Sequence, residues 1–489
     1  MSKTRLGGPP ILAGDESTAD VCQAPTHLTL RPRAARFTTC HADARQSVRA
    51  GRPRGGRSRV GAVSTRRFDF AVIGAGPAGA SAARRLAQGG ASVAVFERQR
   101  FPRAKPCGGG LSGRAMCWLD FPLPPDLIDA EVYGGFAHIG PVCFRARVES
   151  RTAVQVTRSR FDAFLLSKAE EAGAHVEWQE VRSLDVRPGE VSLATPGGEF
   201  AARCAVVCEG ANRKLGWAVR GRDPPAEIGF CITADIPVPS PDPYGHLRDM
   251  LDIYFQESAW PLRDAPVDSL KEESVWPPCD APVGSLKGIP RHGYGWIFHH
   301  GSYYSIGTGG LCCWFDSPLA TFRRFVAERG LSLDGVRPRG HFLPRGGVSR
   351  RVSADRLILA GDAAGWVDPF QGEGMAYAIR SGQLAAETLL EAARRDDFSR
   401  RSLAAYNRRC DEAFGRDLRA ARLITYVVHR WPSVLLRSVR STETVLTEYM
   451  RVPRGDLSYR DFLRWVLGRA PRFLLRTQWQ KITAAPEGS

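Results

Sequence analysis

The first 66 residues carry few periodic apolar positions and many Gly, Pro and Arg, so they cannot bury enough surface to offset the entropy of ordering. They are expected to be a disordered basic tail. Order is predicted to begin at Phe68-Asp-Phe-Ala-Val-Ile73, a short apolar run that reads as a buried parallel strand. A turn over Gly74 to Gly79, a helix from Ala80 to Gln88 and a second strand from Ser92 to Phe96 complete a βαβ unit of about 30 residues.

Short alternating runs follow between Glu131 and Val148, then a helix over Arg160 to Ala172, strands near His175 and Val191, and the apolar run Ala205-Val-Val-Cys208 before a Glu209-Gly210 turn. Strand candidates then crowd residues 226–340: Phe230 to Ile236, Leu251 to Phe255, Trp296 to Phe298 and Tyr303 to Thr308. The pattern predicts an antiparallel sheet inserted into an α/β domain, which resumes at Arg356-Leu-Ile-Leu-Ala360 and a helix from about Gly374 to Arg395. Ser399 to Ile482 reads as helical and rich in Arg, Trp and Leu.

Within the strand-rich region, Glu257 to Lys271 recurs as Glu273 to Lys287 with eleven of fifteen positions matching. A solenoid takes about three repeats to bury a core, so the two Pro-rich copies predict a lengthened surface loop. A binding role for Trp260 and Trp276 is the alternative.

A chain of 489 residues exceeds what one core sustains, and no apolar stretch is long enough for a membrane-spanning helix. The net charge of +17 invites a nucleic-acid partner, but more than half of it lies in residues 1–67, where Lys3 and twelve arginines face four acids. No nucleic-acid partner is therefore expected. The C-terminal segment Phe462 to Trp479 mixes aromatic, aliphatic and Arg residues. It reads equally as a peripheral contact with lipid headgroups and as a helical cap interrupted at Pro471. Twelve cysteines without a C-x-x-C pair indicate neither a metal site nor a disulfide framework. A cytoplasmic or membrane-peripheral location is expected. The tail's composition leaves an organelle transit peptide as the alternative to a disordered extension or an upstream start.

Gly74-Ala-Gly76-Pro-Ala78-Gly79 stands between a predicted strand and a predicted helix, and Glu97 ends the next strand. Glycines at that spacing allow a tight turn, close approach of a pyrophosphate and close helix–strand packing, while the helix N-terminus stabilises negative charge. Glu97 is placed to accept hydrogen bonds from an adenosine ribose. Gly361-Asp362 after the last strand, and Asp368-Pro-Phe-Gln-Gly372-Glu-Gly374 at a helix start, favour FAD over NAD. An aspartate there can bind a ribityl or ribose hydroxyl, and the helix start faces a flavin ring that gains charge on reduction.

Together with Pro106-Cys107-Gly108-Gly109-Gly110-Leu111, Tyr294-Gly-Trp296-Ile-Phe298 and Gly307-Thr-Gly309, these motifs resemble the geranylgeranyl reductase family of FAD-dependent oxidoreductases, in the right order over roughly residues 68–395. The glycine motifs at either end are shared with flavin monooxygenases. The Pro-Cys-Gly-Gly-Gly-Leu and Tyr-x-Trp-x-Phe runs are the specific ones, and in that family they line the isoalloxazine and substrate cavity. The resemblance implies an α/β chain with a Rossmann-like FAD-binding domain of the glutathione reductase/p-hydroxybenzoate hydroxylase type over residues 67–112, 152–225 and 341–396. An inserted antiparallel substrate domain would cover 113–151 and 226–340, with the repeat loop at 257–287, and a helical C-terminal region 397–489.

It also implies saturation of carbon–carbon double bonds in an isoprenoid chain, whether a geranylgeranyl lipid, a prenyl quinone or a related terpenoid. An isolated alkene needs a hydride at one carbon and a proton at the other, with positive charge developing between. Tyr294, Trp296 and Phe298 alternate along one strand, so their electron-rich faces would share one side. Cys107, between a proline and three glycines, is the candidate proton relay, with Tyr294 as the alternative. Gly108 and Gly109 would give the flavin a close approach, and Lys105 would contact the phosphates or ribityl chain. Gly372 and Gly374 would flank the flavin. No second glycine fingerprint is present, so electrons are expected from transient NAD(P)H or from a protein donor such as reduced ferredoxin.

Three departures from the family pattern put the substrate in doubt: Glu209 for the usual Asp, Arg213 for a small hydroxyl residue, and His299 for Pro. A histidine beside a flavin cavity could shuttle protons, but His299 followed by His300 reads more readily as surface. A flavin-dependent monooxygenase or halogenase on a hydrophobic or aromatic substrate is the rival reading, and a nucleic-acid-binding flavoprotein is a remoter one.

Overall fold

The computed structural model describes residues 66–139, 142–211, 214–255, 288–290, 293–430 and 443–469. The expectations on the basic tail, the tandem repeat with its Trp260 and Trp276, Arg213 and the segment beyond residue 469 lie outside them.

The first apolar run is the strand Arg66–Ile73, exposed at its start and buried over its last four residues. Burial on both faces explains its unbroken hydrophobicity, and it forms the middle of a parallel sheet. Across that sheet the order is Ser353–Ala354, Leu357–Leu359, Gly198–Val207, Arg66–Ile73, Val93–Phe96 and His175–Glu177; the edge strand Ser353–Ala354 is antiparallel to its neighbour, and an antiparallel hairpin of Ser183–Arg187 and Glu190–Thr195 pairs to Gly198–Val207. The helices Pro77–Gln88, Arg158–Glu171 and Met375–Arg394 supply Leu86, Phe161, Leu165, Ile379 and Leu389 to the core over this sheet.

A second sheet of seven strands runs in the order Arg339–Pro344, Ile228–Pro237, Tyr303–Leu311, Tyr294–His299, Met250–Phe255, Gly134–Ile139 and Val142–Arg147. It is antiparallel as expected except where Met250–Phe255 lies parallel to Gly134–Ile139. A parallel neighbour needs a long crossover. Here the crossover is the passage of the chain through the parallel sheet between residues 148 and 227. Three short strands, Gly110–Ser112, Ala153–Gln155 and Ala130–Val132, form a third sheet between the two.

Two boundaries differ from the sequence expectation. Residues 113–128, assigned to the substrate domain, pack on the core of the parallel sheet through Ala115, Met116, Trp118, Leu119 and Phe121. His341 to Pro344, assigned to the FAD-binding domain, belong to the edge strand of the seven-stranded sheet. Neither helix Gly113–Trp118 nor that strand carries a pattern naming its partner, because the partners lie far along the chain: Trp118 meets Tyr377, and Pro344 pairs with Ile228.

Because side chains alternate along a strand, the register sorts the seven-stranded sheet into two faces. One face presents Phe136, Ile232, Ala234, Tyr254, Ile297, Tyr304 and Ile306 to Phe322 and Phe325 of the helix Pro318–Ala327. The other carries Tyr294, Trp296 and Phe298, flanked by Ile253 and Phe255 on one side and by Gly307, Gly309, Cys231 and His341 on the other. The C-terminal helices Arg416–Arg430 and Glu443–Arg454, with the helical residues 459–469, close over the apolar half of that second face. Phe144, Phe255 and Phe370 pack against Ile424, Val445, Val452, Tyr459 and Phe462. Trp465 packs there too, so the described part of the C-terminal aromatic segment is a cap on the protein.

Candidate active site

Gly74 takes a left-handed φ of +96°, and a side chain at Gly79 would overlap the Gly74 carbonyl oxygen, so the first turn of the helix Pro77–Gln88 can approach its strand only through glycine. Pro77 occupies the first helical turn, where its missing N–H costs nothing. Ala78 is buried against Gly361 and Gly382 of the last βα unit. Gly76 meets only the Arg103 guanidinium, 3.7 Å from where its Cβ would be. Glu97 is buried at the end of its strand and accepts from the Ala75 N–H at 2.9 Å and the Gln99 N–H at 3.0 Å.

Sequence reasoning missed the cations around this turn. Arg103 lies over the Phe101 ring at 4.5 Å, with Nη1 3.3 Å from Asp162 Oδ2 and Nη2 4.0 Å from Glu97 Oε2. Arg158 forms a bidentate pair with Asp162 at 2.8 and 2.9 Å and reaches the Cys107 thiol. Burial disfavours the charged Arg158, yet Asp162 and Cys107 outweigh it and raise its pKa. The available signal was an Arg and an Asp four residues apart at a helix start directly after a buried strand.

Lys105 extends this charge toward the last strand. Its Nζ lies 2.8 Å from His341 Nε2 and 3.9 Å from Asp362 Oδ2, and His341 Nε2 is 3.3 Å from the same carboxylate. Burial pushes the Asp362 carboxyl up, but the His341 hydrogen bond and the Lys105 charge prevail and hold it at about 2. Burial lowers the Lys105 pKa, against the pull of Asp362. His341 is lowered by burial and then by the Lys105 charge, against the pull of Asp362. His341 was not among the sequence candidates because its strand pairing was not legible.

The strand Tyr294–His299 connects the two halves of the glycine machinery. Trp296 and Phe298 lie against Gly108, while the Tyr294 hydroxyl lies against Gly372 and donates to the Gln371 carbonyl at 2.9 Å. Burial pushes the Tyr294 phenol up. Gly374 sits beside Asp362 Oδ1 at the start of the helix Met375–Arg394. Asp368 accepts from the Phe370 and Gln371 N–H groups at 2.7 and 2.9 Å, shaping that turn. Burial lifts the Glu373 carboxyl to about 7, over the opposing Ser112 hydroxyl and Arg114 charge. Cys107 is half-buried in a loop whose Gly109 N–H points at its sulfur at 3.4 Å. Cys107, Tyr294 and Trp296 thus stand at one cleft with Lys105, Gly108, Asp362, Gly372 and Gly374. Gly74, Gly76, Ala78, Gly79 and Glu97 form the adjoining turn, with Arg103 between.

Two expectations change. His299 and His300 are both buried. His299 pairs with Asp242 at 3.1 Å on the far side of the sheet, and His300 faces the Cys107 loop, because the turn between the two central strands is folded under the third sheet. Glu209, the longer acid, accepts from the Gly216 N–H of the helix Lys214–Arg220 at 2.7 Å.

Several buried polar atoms at the cleft have no partner among the described residues: Trp296 Nε1, Glu373 Oε1 and both side-chain polar atoms of Gln155 beside Gly110. Such atoms normally find partners. A helix N-terminus with Arg103, Arg158 and Lys105 suits a pyrophosphate and ribityl chain, and the glycines leave room for a flat ring. The residues fit an FAD.

The family model for FAD dependent oxidoreductases matches residues 69–119. The chloroplastic geranylgeranyl diphosphate reductase of Arabidopsis thaliana is 27% identical over 67% of this chain and 67% of its own length. Protein FixC of Salmonella typhi is 29% identical over 72% of this chain and 83% of its own. The structure of a geranylgeranyl bacteriochlorophyll reductase-like protein from Thermoplasma acidophilum superposes with a TM-score of 0.64 at 19% identity, covering 85% of this chain and 99% of that one. A flavin-dependent brominase follows with a TM-score of 0.59 at 18% identity, covering 83% of this chain and 100% of that one. No helix among the described residues is long and apolar enough to cross a membrane. The glycine turn, the paired loops around the cleft and these relatives agree: the chain carries an FAD dependent oxidoreductase domain and is similar to the geranylgeranyl reductases.

Proposed function

We propose that the protein saturates carbon–carbon double bonds in the isoprenoid chain of a lipid, quinone or related terpenoid. The observation that carries this reading is the composition of the sheet face beside the Cys107 loop: Tyr294, Trp296, Phe298, Ile253 and Phe255, closed off by the C-terminal helices. That surface offers an unfunctionalised hydrocarbon aromatic and aliphatic contact. The names of the plant relatives support the same class of substrate.

FAD, bound and reduced, supplies the hydride. The chain's own groups do the rest. The glycine turn, Arg103, Arg158 and Lys105 bind the anionic part of the cofactor, and Asp362 with Glu97 accepts its hydroxyl groups. The Trp296 and Phe298 faces stabilise positive charge at the substituted carbon. The Cys107 thiol delivers the proton, with the Tyr294 hydroxyl, whose phenol burial pushes up, as the second source. Electrons arrive from NAD(P)H or a reduced ferredoxin-type protein, and a substrate of this kind brings the protein to a membrane surface. The brominase likeness is one of fold. Mass spectrometry of lipids and quinones from cells with and without the gene tests the reading: prenyl chains heavier by the mass of two hydrogens per bond support it. Unchanged prenyl chains alongside a new hydroxylated or halogenated aromatic product would sink it.

A further inference from the structure

The Pro106–Leu111 loop contains three consecutive glycines, the sequence with the greatest freedom to wander, yet it has to hold one sulfur in place. Its three successive carbonyls are each tied. Ser305 Oγ donates to the Cys107 oxygen at 3.2 Å, His300 Nε2 lies 3.0 Å from the Gly108 oxygen, and the Val156 N–H donates to the Gly109 oxygen at 2.9 Å. Two of the three ties come from one hairpin: His300 from the turn after Tyr294–His299, and Ser305 from the returning strand Tyr303–Leu311.

We propose that His300 is a positioning residue: through the Gly108 carbonyl it fixes the Cys107 sulfur within the cleft. A carbonyl oxygen only accepts, so Nε2 is the donor. The ring itself is held on every side. Its Nδ1 faces Asp129 Oδ2 at 2.8 Å and the Tyr303 hydroxyl at 3.1 Å, and its face stacks on the Tyr303 ring at 4.6 Å. Asp129 is oriented in turn by the Thr157 hydroxyl at 2.7 Å and Arg160 at 3.2 Å. The side chain is 1% exposed, so neither partner competes with bulk water. Gly109 completes the fit. Its φ is +78°, and a side chain there would come within 2.5 Å of the His300 ring, so the loop closes over the imidazole only as glycine. Displacing a reacting group by about 1 Å costs up to ~100-fold in rate.

The inference rests on the reading of Cys107 as an active-site group, and its test separates the two. Holoenzyme carrying His300→Phe keeps a ring to stack on Tyr303 but has no donor, whereas His300→Gln returns an N–H to the Gly108 carbonyl. Cys107 labelling by iodoacetamide is followed by residue-resolved mass spectrometry, with the exposed Cys117 and Cys313 as internal reference. FAD content and the rate of flavin reoxidation by a geranylgeranyl lipid are measured beside it. The expected result for His300→Phe is full FAD content, Cys107 labelling changed by about 10-fold relative to the reference thiols, and kcat lowered by about 10- to 100-fold with KM little altered. His300→Gln is expected to recover most of both. Labelling of Cys107 unchanged by His300→Phe, or His300→Gln as impaired as His300→Phe, would overturn the proposal. Should the Phe variant fail to fold, Ser305→Ala removes the neighbouring tie, and unchanged Cys107 labelling there overturns it equally. Labelling needs no substrate, so a wild type that no prenyl lipid reoxidises refutes the functional reading alone.

Discussion

The two walls of the cleft are made of different things. The nucleotide wall, from Gly74 to Glu97 with Arg103, Arg158 and Lys105, is main chain and charge, and its shape follows from where a Cβ is forbidden. The facing wall, Tyr294 to Phe298 with Gly307 and Ser305, is side chains delivered by strand register. A wall of main chain tolerates almost no substitution and fixes what the protein binds. A wall of side chains can be rebuilt without unfolding and fixes what the protein acts on. Chains sharing a fold can differ in reaction, which fits the likeness of this fold to both a reductase-like protein and a brominase.

The largest expected effect breaks the nucleotide wall. Gly79→Val places a branched side chain on the Gly74 carbonyl oxygen, and the backbone there cannot yield. A loss above about 4 kcal/mol is expected, read as insoluble or colourless protein. Soluble protein with a full flavin spectrum would contradict the comparison. Next is Glu373, at the junction of the walls. Its folded pKa of about 7 lies above its ordinary 4.5, so its contribution to stability is complete below pH 4.5 and is lost as pH rises through 7. At most about 3 kcal/mol is at stake. The thermal midpoint should therefore fall between pH 5 and 8 by more in the wild type than in Glu373→Gln, and identical profiles would refute the assignment.

On the facing wall, Gly307→Ala puts a methyl group 2.2 Å from the Trp296 ring, a side chain that has to move, and not against main chain. FAD content should stay at the wild-type level while the rate with a prenyl substrate drops about 10-fold; loss of FAD would show that the walls are not separable. The smallest effect belongs to Tyr294→Phe, which removes one hydrogen bond to the Gln371 carbonyl and should cost about 1 kcal/mol in chemical denaturation. A much larger loss of rate than of stability would assign the hydroxyl to proton delivery.

The same contrast explains what could be read from the sequence. The glycine turn, Glu97, Asp362 and the helix after Gly374 were legible because turn, strand and helix signals sit next to one another in the chain. Residues whose partners are distant were not. His341 meets Lys105 across 236 positions, and His300 meets Gly108 across 192; nothing near either histidine in sequence distinguishes it from a surface residue. The parallel pairing of Met250–Phe255 with Gly134–Ile139 was hidden for the same reason. Arg103 and Arg158 were within reach, since an arginine beside a phosphate motif and an Arg–Asp pair at a helix start are local signals, but they carry no fixed spacing to the glycines. The aromatic alternation of Tyr294, Trp296 and Phe298 placed them on one side, and their rings lie 5.8 and 6.2 Å apart in sequence along it.

The central claim is that the cleft between these walls reduces an isolated double bond. Anaerobic addition of a geranylgeranyl lipid to the photoreduced holoprotein tests it directly. The yellow oxidised spectrum is expected to return in proportion to lipid consumed, with each product molecule heavier by two hydrogens per bond. A flavin that stays bleached with every prenyl compound, and regains colour only with oxygen as an aromatic substrate is modified, would contradict it.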